Sequence, residues 1–121
     1  MLKSFRSLFD IYKFYKIQPD KRKVVFYAEN QNSYPFFEGL INYLINKYNF
    51  TVYYVTSSKS DKNLDIRNKN IKTFYIGSGI IRTIFFQLYN SKIMILTMPE
   101  LNVSYIKKSN FCKNYIYITH N

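Results

Sequence analysis

His120 is the single histidine of the chain, and its side chain alone among the candidates titrates near neutral pH without help from its surroundings. It follows a tyrosine-rich apolar run, Tyr115 to Thr119, so it arrives at the end of a strand. An imidazole placed there serves either as a general base or as a neutral structural group. The other chemistry-bearing residues are scattered. Glu29 and Asn30 follow an apolar run, Lys107, Lys108 and Ser109 form a basic turn, and Gly77, Ser78 and Gly79 separate a β-type run from a helical one. Two glycines around a serine at such a junction either let an anion approach a helix N-terminus or simply make a tight turn. Their spacing is neither the dinucleotide fingerprint nor the P-loop. One histidine and seven scattered carboxylates do not assemble by spacing into a metal-ligand set. Cys112 is the only cysteine, which excludes an internal disulfide and a multi-thiol zinc site. No metal and no cofactor are expected.

Positioning these residues requires strands. Ile93 to Leu101 is an apolar run without polar alternation, closed by Thr97-Met98-Pro99-Glu100, and it reads as a strand buried on both faces in the middle of a parallel sheet. Val24 to Ala28, Thr51 to Thr56, Lys72 to Ile76 and Tyr115 to Thr119 have the same character, with helical patterns between most of them. The expected class is therefore α/β: a Rossmann-like three-layer α/β/α domain around a parallel sheet of about five strands. If the strands are parallel, their exits share one edge, where open α/β folds bind ligands. Glu29 and Asn30, Thr56 to Ser58, Gly77 to Gly79, Thr97 to Glu100, and His120 with Asn121 then gather on a single rim.

The N-terminal 22 residues stand apart. Leu2, Phe5, Phe9, Tyr12 and Lys16 fall near one face at helical spacing, with Leu8, Ile11 and Tyr15 beside them. Seven basic and two acidic residues lie between Lys3 and Lys23. Such a helix either lies on an anionic leaflet or covers the flank of the sheet with its apolar stripe. Pro19 ends it, and Lys21-Arg22-Lys23 reads as an exposed lead-in to residues 23–121, the Rossmann-like domain. Within that domain, Asn32 or Ser33 is suited to cap a helix that carries Phe37, Leu40, Ile41, Leu44 and Ile45 toward the core. The polar stretch from Ser57 to Asn70 is long for a connection and implies a short helix or a functional loop.

Composition limits the partners. The 121 residues suffice for one core, and no apolar run reaches the roughly 20 residues that cross a bilayer. There is no apolar signal-peptide region at the N-terminus, so a cytoplasmic location is expected, with peripheral contact to the inner face of the plasma membrane if the first helix binds lipid. The net charge of +11 comes from 14 lysines and only 4 arginines, and arginine-poor basicity argues against base readout in nucleic acid. A membrane surface or a polyanionic substrate accounts for the charge at least as well.

The strings VVFYAEN, GLINYLI, VYYVTSS with Asp61, FYIGSG with IIRTIFF, TMPELNVSYIKKS and YIYITHN resemble the N-terminal half of bacterial CDP-glycerol glycerophosphotransferase-like proteins, the teichoic-acid-type polymerases and surface-glycan transferases of GT-B architecture. The likeness covers roughly residues 23–121. It implies an acceptor-side half of a transferase that passes a glycerophosphoryl or glycosyl unit from a CDP-activated donor to a lipid-linked polyol-phosphate or glycan acceptor. It further implies that His120 takes the proton of the acceptor hydroxyl. By their own chemistry Lys107 and Lys108, with Ser109 as a hydroxyl donor, either neutralise acceptor phosphates or form a solvated basic turn, and Glu29 either holds an acceptor hydroxyl or caps its own loop. The donor site belongs to a second Rossmann-like half, so the 121-residue chain by itself is expected to be inactive. The competing classes are a non-enzymatic α/β binding module and a basic membrane adaptor acting through its first helix.

Overall fold

The apolar run Val24–Ala28 (β1) is buried at every position, because it has a hydrogen-bonded neighbour on each side and a packed layer on each face. A computed structural model describes residues 2–77, 81–83, 85, 93–96 and 114–117. In it β1 pairs in parallel with Val52–Thr56 (β2) and Ile93–Leu96 (β4), while Ile71–Tyr75 (β3) adds to β2 and Asn114–Tyr117 (β5) adds to β4. The resulting five-stranded sheet has the order β3-β2-β1-β4-β5. It is the expected Rossmann-like sheet, and each strand lies within a residue or two of its expected start.

Parallel strands need crossovers, and a common right hand sends them to opposite faces once the strand order reverses. Helix α2 (Tyr34–Tyr48), between β1 and β2, covers one face with Phe37 and Ile41 buried and Leu40, Leu44 and Ile45 packed beside them, the stripe expected from spacing. Asn49 ends it in the left-handed region at φ 56°, its N–H bonded to Ile45 O at 2.9 Å. On that face α2 meets Val24, Phe26, Ala28, Val52, Tyr54, Ile71 and Ile95. Between β3 and β4, residues 81–83 and 85 are helical, and Phe85 packs on the other face with Val25, Tyr27, Tyr53, Val55, Phe74 and Met94.

Helix α1 (Leu2–Lys16) shares this second face with Phe85, so the molecule has three layers. It covers the sheet with a different side from the one that spacing suggests. Phe14 is fully buried, Ile11 and Tyr15 pack around it, and the remaining inward positions are Ser7 and Asp10. Phe9 and Tyr12, members of the expected apolar stripe, are 60% and 61% exposed. Beside the apolar contacts of Phe14, the inward side meets two backbone demands at and just after β3. Asp10 Oδ2 accepts from Tyr75 N–H at 2.8 Å, satisfying an outward donor of an edge strand, and Ser7 fits over Gly77.

Arg22 corrects a second expectation. It is fully buried rather than an exposed lead-in, with its guanidinium over the rings of Phe14 (4.4 Å) and Tyr15 (5.2 Å) and its Nε donating to Ile17 O at 2.9 Å. The planar, weakly hydrated guanidinium tolerates this site where an ammonium would not.

Candidate functional site

The strand order reverses between β1 and β4, and in open α/β sheets the crevice beyond the carboxyl ends of those strands is where ligands bind. At the exit of β1, Asn30 Oδ1 accepts from Asn32 N–H at 2.8 Å and caps a single 3-10 turn, Gln31–Ser33, that runs directly into α2. Ser33 therefore stands at the N-cap position of α2 with no side-chain cap bond, and Pro35 lies in its first turn. Asn30 performs the capping, which releases Glu29 for another partner. Glu29 Oε2 lies 3.8 Å from Arg82 Nη1, a residue of the helical segment after β3.

Around that ion pair sits a small polar cluster. The Tyr27 hydroxyl, at the end of β1 on the α1 side, is 2.7 Å from Ser57 Oγ at the exit of β2. Burial pushes the Tyr27 phenol up to about 12; its hydrogen bonds to Ser57 and Arg82 and the Arg82 charge oppose the rise, and the Glu29 charge adds to it. At neutral pH the phenol is thus a hydrogen-bonding group and not a base. Since a guanidinium can only donate, Tyr27 accepts from Arg82, and either hydroxyl of the Tyr27–Ser57 pair can be the donor. The cluster presents one cation, one carboxylate and two hydroxyls. Arg82 is mostly covered and Glu29 is 45% exposed, and at 3.8 Å their contact is a charge pair without a short hydrogen bond. An incoming oxyanion can compete for that guanidinium at modest cost.

The opposite side of the same rim is built differently. Asp61 is buried and accepts from Tyr54 Oη at 2.5 Å, Asn63 N–H at 2.8 Å and Asn63 Nδ2 at 2.9 Å. It caps the 3-10 turn Lys62–Asp65, the short helix allowed for in the long connection. Burial and the Asp61 carboxylate both push the Tyr54 phenol up. Lys62 N–H donates to Gln31 Oε1 at 3.2 Å, tying the β1 and β2 exits together. Gln31, Tyr34, Glu38, Lys62 and Asn63 border a groove of about 380 Å³ here. A second groove, of about 400 Å³, lies at the opposite edge between Lys21, Lys23, Asn49, Phe50 and Tyr53, away from the strand exits.

Gly77 takes φ +76°, open to glycine at little cost, but the space above it is occupied by the protein itself. A Cβ there would meet Ser7 Cβ at 3.1 Å and Ile81 Cγ2 at 3.3 Å. The glycine admits α1, and this close approach accounts for it without a ligand. Of the sequence candidates, Glu29, Asn30 and Gly77 thus lie at the carboxyl edge with Thr56, Ser57 and Ser58. His120, Lys107, Lys108, Ser109, Ser78, Gly79, the segment 97–100 and Cys112 lie outside the described residues. The sequence places Ser57 on the rim, within Thr56 to Ser58, but singles out neither Tyr27, Arg82 nor the Asp61 network as a site, because tyrosines inside apolar runs read as core. The available signal was a tyrosine next to the last position of β1. No group of histidine, cysteine, aspartate and glutamate that could hold a metal occurs among the described residues. No family model, curated protein or solved structure matches the chain.

Proposed function

We propose that this chain supplies the acceptor-binding side of a transferase that builds a cell-surface polymer, passing a glycerophosphoryl or glycosyl unit from a CDP-activated donor to a lipid-linked acceptor. The sequence resemblance over residues 23–121 supports this reading, and the observation that carries it is the Tyr27, Ser57, Glu29 and Arg82 cluster at the reversal of strand order. A polyol phosphate chain alternates phosphodiester oxygens with hydroxyls. Arg82 suits the former, while Glu29 and Ser57 suit the latter. For glycerophosphoryl transfer the acceptor hydroxyl oxygen attacks the phosphorus that bears glycerol, His120 takes its proton, and CMP leaves with the electrons of the broken P–O bond; for glycosyl transfer the same oxygen attacks the anomeric carbon and the nucleotide leaves with the electrons of the broken C–O bond. Lys107, Lys108 and Ser109 extend the phosphate contacts along the acceptor. The donor binds on a second Rossmann-like half in this architecture.

Titration of isotopically labelled chain with glycerol phosphate oligomers, followed by NMR, tests the acceptor role. Amide shifts are expected at Glu29, Asn30, Ser57 and Gly77, and Arg82→Ala is expected to abolish them while the remaining spectrum stays folded. Shifts confined to the opposite-edge groove, or none at all, would overturn the proposal.

A further inference from the structure

Helix α1 is two-sided in an unusual way. Its inward face carries Phe14, Ile11, Ser7 and Asp10, while Leu8, Phe9 and Tyr12 point outward, Leu8 at 54% exposure. Lysines lie against the rings: Lys13 Nζ is 4.9 Å from the Phe9 ring centroid and Lys16 Nζ is 5.8 Å from that of Tyr12. The helix has one acidic residue, Asp10, which is buried against β3 and flanked by Arg6 and Lys13 at 3.7 Å each. It offsets one positive charge, and the surplus on this surface remains positive. From these observations we infer that the outer face of α1 docks on an anionic lipid bilayer, with Phe9 and Tyr12 entering the headgroup boundary and Arg6, Lys13 and Lys16 meeting lipid phosphates.

Three features favour lipid over a protein partner. The rings stand exposed on the convex outer side of a helix, which suits a deformable interface rather than a complementary one. Long lysine stems let ammonium groups reach the phosphate level while their methylenes stay beside the inserted rings. A second copy of the chain, also at +11, is repelled from a basic face, whereas an anionic leaflet is attracted to it. The inference stands apart from the transferase reading, since a chain that ignores glycerol phosphate can still partition to vesicles.

Co-sedimentation of the 121-residue chain with equimolar phosphatidylglycerol and phosphatidylcholine vesicles, against phosphatidylcholine alone, tests it. Binding is expected on the anionic vesicles only, falling as salt is raised. Phe9→Ser with Tyr12→Ser is expected to weaken it about tenfold or more, and Lys13→Gln or Lys16→Gln about fivefold each. Circular dichroism checks that these exposed substitutions leave the fold intact. The inference is overturned if the parent chain stays in the supernatant with anionic vesicles. Equal binding by the Phe9 and Tyr12 double variant also overturns it, as does concentration-dependent self-association through this face without vesicle binding.

Discussion

The Tyr27 hydroxyl sets a pH limit that belongs to one residue. Its pKa rises from 10.0 to about 12, burial being the main cause, so the folded chain holds the phenolic proton more tightly than the unfolded chain does. Stability from this group is complete below pH 10 and is lost as pH climbs from 10 toward 12, by about 2–3 kcal/mol. Tyr54 is shifted in the same direction, by burial first and then by Asp61, and adds to the alkaline loss. Denaturant unfolding near neutral pH and at about pH 11 is expected to show the decline. Tyr27→Phe should start lower at neutral pH, for want of the Ser57 and Arg82 hydrogen bonds, and then decline less. An equal decline in parent and variant would remove Tyr27 as the source. The same buried phenol explains why the cluster was hard to foresee: its place in an unbroken apolar run marks Tyr27 as core, and its ring is core, but its hydroxyl reaches the rim.

At the scale of elements, α1 is held by its polar contacts to β3 as much as by its apolar ones. Tyr75 N–H points away from β2, and the Asp10 carboxylate is its partner at 2.8 Å. Asp10→Ala strands that donor at a mostly buried site and is expected to cost about 1–3 kcal/mol. The accompanying sign is local: the Tyr75 amide is expected to exchange slowly in the parent, where Asp10 holds it, and in the variant at a rate close to that of its outward neighbour Thr73. Unchanged exchange at Tyr75 would show that α1 is seated by Phe14 and Gly77 alone. Such a contact cannot be inferred from amphipathic spacing. The spacing of apolar residues placed Leu2, Phe5, Phe9 and Tyr12 on one face, yet the sheet selected the face bearing Ser7 and Asp10, because an edge strand and a glycine needed them. For α2 no such demand exists, and its apolar stripe pointed where periodicity put it.

For the whole molecule, the strand order β3-β2-β1-β4-β5 buries β1 most deeply and leaves the flanks to open first. Hydrogen exchange is expected to be slowest at Val25, Phe26 and Tyr27 and the facing amides of β2, where release requires global unfolding. Exchange at β1 as fast as at β3 would contradict the central position. The same order fixes the reversal point beside Glu29, so site and core share a strand, and substitutions near the end of β1 trade stability against the rim cluster.

From the sequence alone came the α/β class, the parallel sheet, the positions of its strands and the placing of the β1, β2 and β3 exits on one edge, because unbroken β-branched and aromatic runs separated by helical periods admit few other arrangements. Tertiary structure decided the strand order, the inward face of α1, the burial of Arg22, the pairing of Glu29 with Arg82 and the joining of Tyr27 to Ser57. Each of these depends on groups far apart in the chain meeting across a sheet. Local spacing carries no record of such meetings, since it encodes which side of an element is apolar and not what stands opposite.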